Sequence, residues 1–138
     1  MKTSVLVDSN IFLDVFQGSA DALWSQEALT FAGSRMVLMA NPVIWSEIAV
    51  RFRSEDDFHA AMRGLAIHKR NLPFEAAFTA GLAHGRYRRA GGARERTLPD
   101  FLIGAHAACE GHALLTRDPA RYRTYFPDLD LIAPDTYP

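Results

Sequence analysis

The chain is 138 residues long, the usual size for one domain with one core, and at 49% apolar and 22% charged its composition is that of an ordinary soluble globular protein. A formal net charge of −1 excludes strong non-specific attraction to nucleic acid. The single cysteine, Cys109, excludes an intrachain disulfide and any Cys/His zinc pattern, and it reads as a small core filler among Ala107, Ala108 and Gly111.

The first element is a consecutive apolar run, Val5-Leu6-Val7, that stops on Asp8. Consecutive rather than alternating apolar residues predict a central parallel strand buried on both faces. The run is too short for a signal peptide or a membrane span, so a reducing cytoplasm is the expected compartment. Residues 10–16 read as a short helix closed by Gly18 and capped by Asp8 or Ser9. Leu23, Trp24, Ala28 and Phe31 recur at helical spacing over 20–32, and Gly33 ends that helix. Met36 to Met39 is a second apolar run and a second candidate parallel strand. Asn41-Pro42 then supplies a good cap and first residue for a helix running to about Arg53.

Residues 56–67 predict a further helix with Phe58, Met62 and Leu65 inward, and 67–72 is ambiguous, with room for a short strand. Phe74, Phe78 and Leu82 repeat four apart, which predicts a helix over 73–90. A flexible Gly/Arg loop, 91–96, precedes a helix from Pro99 to about Glu110, closed by Gly111. Residues 112–116 predict a strand, and 129–132 a last one. Strands alternating with helices imply a parallel sheet covered on both faces, and right-handed crossovers would bring the strand ends to one edge. Ligands of such sheets bind beyond that edge.

Four acids map there: Asp8 after the first strand, Glu47 in the helix after the second, Asp100 in the first turn after the Gly/Arg loop, and Asp118 after the 112–116 strand. Each has a plainer reading. Asp8 and Asp118 are good helix caps, Thr97-Leu98-Pro99-Asp100 resembles a capping box, and Glu47 fits a solvated helix position. Yet Glu47 borders the apolar stripe of Ile44 and Ile48, and Asp100 shares a face with Ile103, Gly104 and Ala107. Clustered carboxylates raise one another's pKa, and a hard divalent cation removes the conflict. An oxygen-only set favours magnesium or manganese over zinc, and a pair of ions about 4 Å apart serves phosphodiester hydrolysis. Ser9, Asn10 and Thr116 sit beside the acids, as donors that orient carboxylates or as plain turn and cap residues.

The five histidines show no ligand pattern; His59, His68, His84 and His112 read as surface or element-end residues, and His106 faces away from Asp100. Trp24, Trp45, Phe12 and Phe52 read as core, with Trp45 also a candidate for an exposed apolar groove. Eight arginines fall between Arg86 and Arg123, while the only lysines are Lys2 and Lys69. From charge and position, Arg94, Arg96, Arg117 and Arg121 are candidates to pair with phosphate or carboxylate beside the acids, with a solvated helix face and loop as the plainer reading.

Val7-Asp8-Ser9-Asn10, the segment Pro42 to Ile48, the segment Leu98 to Ala107 and Leu114-Leu115-Thr116-Arg117-Asp118-Pro119 together resemble PIN-domain ribonucleases. Order, spacing and length resemble the VapC toxin branch of bacterial and archaeal toxin–antitoxin pairs, over almost the whole chain. The resemblance implies a single PIN domain over 1–138, with a three-layer α/β/α PIN-like fold and a central, mainly parallel sheet of four to five strands. It implies a magnesium- or manganese-dependent endoribonuclease toxin that cuts single-stranded or loop regions of transfer or ribosomal RNA without a covalent enzyme intermediate. Asp8, Glu47, Asp100 and Asp118 would be its catalytic and metal-binding acids, Asp8 and Asp100 as direct ligands and Asp118 through water. A cognate VapB-type antitoxin would lay a segment across the acidic groove of a homodimer or higher hetero-oligomer. Two rivals stand beside this reading. An aspartyl-phosphate enzyme would use Asp8 as nucleophile, but position 10 is Asn10 and no lysine follows Lys69. A catalytically inactive PIN-like module would bind RNA or protein and cut nothing.

Overall fold

In the computed structural model, which describes residues 2–92 and 97–137, the apolar runs of the sequence become strands of one parallel sheet. The strands are β1 (Ser4–Val7), β2 (Val37–Ala40), β3 (His68–Lys69), β4 (Ala113–Leu115) and β5 (Leu131–Ile132), in the order β3-β2-β1-β4-β5. Val5, Leu6 and Val7 are fully buried, as expected of a strand covered on both faces. Leu6 pairs with Met39 on one side and Leu114 on the other, so β1 is central. The chain winds outward from β1 in both directions, which places a topological switch point at the carboxyl end of β1, where Asp8 lies.

The helices are α1 (Ser9–Gln17), α2 (Ala22–Gly33), α3 (Pro42–Ala49), α4 (Glu55–Arg63), α5 (Phe74–Arg89), α6 (Leu98–Glu110) and α7 (Ala120–Arg123). They give the three-layer α/β/α architecture expected of the sequence, with α1 packed on α2 and α5 on α6. Asp8 and Asn41 cap α1 and α3, and Gly18 and Gly111 close α1 and α6 in the left-handed conformation that glycine adopts without a Cβ penalty. α3 ends at Ala49 and α4 at Arg63, each short of its expected limit, and Leu65 is only partly buried.

One expectation, that for Cys109, is corrected, and two further features lie outside what the sequence predicts. The repeat Phe74, Phe78, Leu82 does lie on one face of α5, but that face is exposed, at 92%, 70% and 51%. The inward face is Ala76, Ala80, Ala83 and Tyr87, and the small alanine side chains bring α5 close to α6. Cys109 is exposed rather than a core filler, with Thr79 Oγ1 beside its sulfur. α7 had no signal in the sequence, because four residues are too few to show a period. Among the described residues, no helix is long and apolar enough to cross a membrane.

Candidate active site

The β-ladder fixes the first acid. The Asp8 amide donates to the Leu115 carbonyl at 2.9 Å, so the residue is held by the sheet even though it lies past the end of β1. Its side chain is buried and surrounded by donors. Oδ1 accepts from the Ser9 amide at 2.8 Å, and Oδ2 accepts from Thr116 Oγ1 at 2.8 Å and from the Tyr122 hydroxyl at 2.7 Å. Two short O–H donors occupy Oδ2, while Oδ1 has one short donor, the Ser9 amide, and is the less encumbered oxygen.

The second acid comes from α3. Asn41 caps that helix by accepting from the Ile44 amide at 2.9 Å, and Ile44 and Ile48 bury one side of it completely. Glu47, at the border of that stripe, turns toward Asp8. Its Oε1 accepts from Ser9 Oγ at 3.0 Å, and the same hydroxyl lies 3.5 Å from Asp8 Oδ1. Ser9 therefore bridges two acids.

Asp100 serves two purposes at once. Its Oδ2 accepts from the Thr97 amide at 3.3 Å as half of a capping box, and its Oδ1 lies 3.6 Å from Arg121 Nη1. The plain and the chemical readings of this residue are thus both present, on different oxygens. Asp118 stands apart at the rim, half exposed, with Oδ2 4.0 Å from the same guanidinium nitrogen. The structure brings Asp8, Glu47 and Asp100 together as buried or half-buried neighbours and leaves Asp118 at the mouth.

Ser9 and Thr116 donate to the carboxylates, and Asn10 donates to Thr116 rather than to an acid. Asn10 donates to Thr116 Oγ1 at 3.4 Å and accepts from the Arg117 amide at 3.2 Å, which ties the β4–α7 turn to α1. Of the candidate arginines, Arg121 is the one inside the site. Arg117 is tied away from it: its Nε donates to buried Asp14 at 2.7 Å, and Nη1 lies 3.6 Å from Asp21. Arg94 and Arg96 lie outside the described residues.

Burial pushes the carboxyl groups of Asp8, Glu47 and Asp100 above their usual range. Repulsion between neighbouring carboxylates adds to this at Glu47 and Asp100, while Tyr122, Thr116 and Arg121 pull Asp8 back. Burial also drives Tyr122, helped by the charge on Asp8, well above its ordinary value, so its hydroxyl keeps its proton and donates. For Arg121, burial works against the charge, but Asp100 and the other surrounding acids outweigh it and raise its pKa. Three buried or half-buried carboxylates thus stand near one another, with Arg121 as the cation that the described residues place beside them. Oxygen donors of this kind suit a hard divalent cation, which Asp8 Oδ1, Glu47 and Asp100 Oδ1 would hold; among the described residues, the group whose ligand atoms already lie within 4.8 Å of one another is His106, Glu110 and His112.

The sign for stability follows. A carboxyl whose folded pKa lies above its unfolded value binds protons more tightly when folded, so its contribution falls as pH rises through the folded value. Glu47→Gln is therefore expected to raise the melting temperature of the metal-free protein at neutral pH, with the gain vanishing toward pH 4. Manganese should raise the melting temperature of the native chain and do so less in the variant. Thermal melts at several pH values, with and without the ion, check both signs.

Sequence reading missed two features. Tyr122 gives no local signal, since its hydroxyl reaches Asp8 across 114 positions. The histidines do form a cluster: His106 Nε2 and His112 Nε2 both meet Glu110 Oε1, at 2.8 and 3.0 Å, and Arg70 reaches the same carboxylate through Nε and Nη2 at 3.3 Å each. A signal existed in the four-residue spacing of His106 and Glu110. The cluster's donors do not suit a metal. Asn41 Oδ1 is used by the Ile44 amide, so its Nδ2 faces His106 Nδ1 at 2.9 Å and makes that nitrogen an acceptor. The imidazole proton is then on Nε2, where an ion would need a lone pair. Burial lowers the His106 pKa and keeps the ring neutral. Burial opposes ionisation of Glu110, but Arg70 and the two imidazoles outweigh it and hold its pKa at about 2.

No protein-family model matches the chain, and no curated protein matches it in sequence. Solved structures do match in shape. A chain of VapBC2 from Rickettsia felis, solved bound to a DNA fragment from their promoter, superposes with a TM-score of 0.73 at 14% identity, over 95% of this chain and 98% of that one. A chain of VapBC-1 from nontypeable Haemophilus influenzae gives 0.70 at 14% identity, over 95% and 98%. A toxin–antitoxin complex from Klebsiella pneumoniae gives 0.67 at 21% identity, over 94% and 96%. At these identities what is shared is the three-dimensional arrangement: the chain has the PIN-like fold found in VapBC toxin–antitoxin complexes.

Proposed function

We propose that the protein is a magnesium- or manganese-dependent endoribonuclease, the toxin of a toxin–antitoxin pair, acting on single-stranded or loop regions of RNA such as transfer or ribosomal RNA. The observation that carries the reading is the convergence of Asp8, Glu47 and Asp100 at the switch point of the sheet, with Arg121 as the one cation among them in the described residues. Divalent ions bound there would supply activation of a water for in-line attack and stabilisation of the leaving oxygen.

The chain's own groups do the remaining work. Tyr122 and Thr116 hold Asp8 in one orientation, and Ser9 sets Glu47 against it. Arg121 is placed to meet the charge of a scissile phosphate. Asp118, at the mouth, is placed to orient water. Shared shape with VapBC complexes supports a VapB-type antitoxin as partner, in a homodimer or larger hetero-oligomer, and the acidic crevice suits a basic side chain from such a partner.

The test is incubation of the purified protein with end-labelled single-stranded and hairpin RNAs, with magnesium, with manganese and with chelator. Cleavage that needs the metal supports the reading. RNA that binds and stays intact with both ions overturns it in favour of an inactive binding module.

A further inference from the structure

Beside the acids, on the same edge of the sheet, lies a slot of about 160 Å³ between α3 and the end of β3, walled by Pro42 and Trp45 on one side and by Lys69, Arg70 and Asn71 on the other. The sheet places it. Ala40 pairs with Lys69, the Arg70 amide donates to the Ala40 carbonyl at 2.9 Å, and β2 is the neighbour of β1. The slot is therefore one to two strand spacings from Asp8, on the order of 5–10 Å along the edge.

Its chemistry is specific. The Lys69 ammonium lies over the face of the Trp45 indole, 4.9 Å from its centroid, where an entering base would displace it toward a phosphate, and the indole meets Phe58 at 4.8 Å. Arg70 is braced: Glu110 takes its Nε and Nη2, and Glu110 is itself fixed by His106 and His112. Among the described residues, that bracing leaves Nη1 of Arg70 as a donor at the rim. An aromatic wall, two exposed cations and an amide side chain at the mouth are the parts from which single-stranded nucleic-acid sites are made. Among the described residues no acid lines the slot, and its volume suits one planar ring rather than a helix. In a chain of net charge −1 with two lysines, one of them stands here.

We propose that this slot is a nucleotide subsite, holding one base of single-stranded RNA against Trp45 with the adjoining phosphate on Lys69 and Arg70 Nη1. The proposal deepens the nuclease reading and rests on it for the identity of the substrate. On this view the His106–Glu110–His112 cluster is the brace of a phosphate-binding arginine.

The experiment measures binding apart from cleavage. In a Trp24→Phe, Asp100→Asn background, Trp45 is the only tryptophan and the RNA stays intact. A short single-stranded oligoribonucleotide, labelled for anisotropy, is titrated while Trp45 fluorescence is followed. Expected are saturable quenching and a dissociation constant about tenfold weaker for Trp45→Ala, restored by Trp45→Phe, which keeps an aromatic face. Lys69→Ala and Arg70→Ala should each reduce the slope of log affinity against log salt by about one. Binding without quenching, with Trp45→Ala unaltered in affinity, overturns the proposal. So does quenching by an acidic peptide with none by RNA, which would assign the slot to a protein partner. Quenching by RNA in a protein whose native form cuts nothing would uphold the subsite while removing the nuclease.

Discussion

Asp100→Asn is expected to lower metal-dependent RNA cleavage by at least about 100-fold while the protein stays folded. Loss of a residue that merely orients a metal ligand costs about 10–100-fold, so loss of a ligand should reach or pass the upper limit. The substitution is gentle on the fold. The carbonyl of an asparagine at 100 can still accept from the Thr97 amide, which is the structural half of this side chain's work. Removing a carboxylate whose pKa is raised by burial also relieves a cost of folding at neutral pH. Asp8→Asn should abolish cleavage to a similar degree but is the rougher probe. Both oxygens of Asp8 accept hydrogen bonds, and an asparagine must turn an NH₂ toward either the Ser9 amide or the two hydroxyls. A loss of about 0.5–2 kcal/mol, the worth of a helix cap, is expected for it. Single-turnover cleavage assays run beside thermal melts separate the two variants. Full activity in Asp100→Asn would remove that residue from the metal site.

The acids were legible because each sits where a local pattern ends. Asp8 stops an apolar run, Glu47 borders the Ile44/Ile48 stripe, and Asp100 opens a helix after a glycine-rich loop. Such boundaries are properties of neighbouring residues, and a sequence displays them. Contacts made through space are not displayed, so Tyr122 on Asp8 and Arg117 on Asp14 went unread. The exposed face of α5 shows a different limit. Phe74, Phe78 and Leu82 have helical spacing, but so do Ala76, Ala80 and Ala83 on the other side. Period alone identifies a helix with two apolar faces; which of them is buried depends on how closely α6 approaches. In the sequence, His106 is set apart from Asp100 by the helix face it occupies. Its real partners are Asn41 and Glu110, and they make it a link between the α3 cap and the end of α6.

Gly104→Ala should destabilise the protein and weaken catalysis together. In an open helix this change is favourable by about 0.5–1 kcal/mol, since glycine costs more backbone entropy than alanine. Gly81 in α5 shows the open case: a Cβ there meets nothing within 4 Å, and Gly81→Ala should raise the melting temperature. At Gly104 a Cβ would lie 2.5 Å from Phe126 Cε2, 2.6 Å from its Cδ2 and 3.1 Å from Tyr122 Cδ1. Both rings are buried, so neither can swing into solvent, and overpacking of this kind costs about 1–3 kcal/mol. The net sign is therefore a loss. Displacing Tyr122 also draws its hydroxyl away from Asp8 and leaves Oδ2 with Thr116 alone. Tyr122→Phe separates the two effects, because it removes the hydroxyl and keeps the ring. Cleavage about 10–100-fold slower, with manganese binding weakened to a similar degree, is expected for that variant. A Gly104→Ala protein that melts higher than the native chain would show that the α6–α7 packing yields freely. Unchanged manganese affinity in Tyr122→Phe would show that Thr116 and Ser9 suffice to hold the carboxylate.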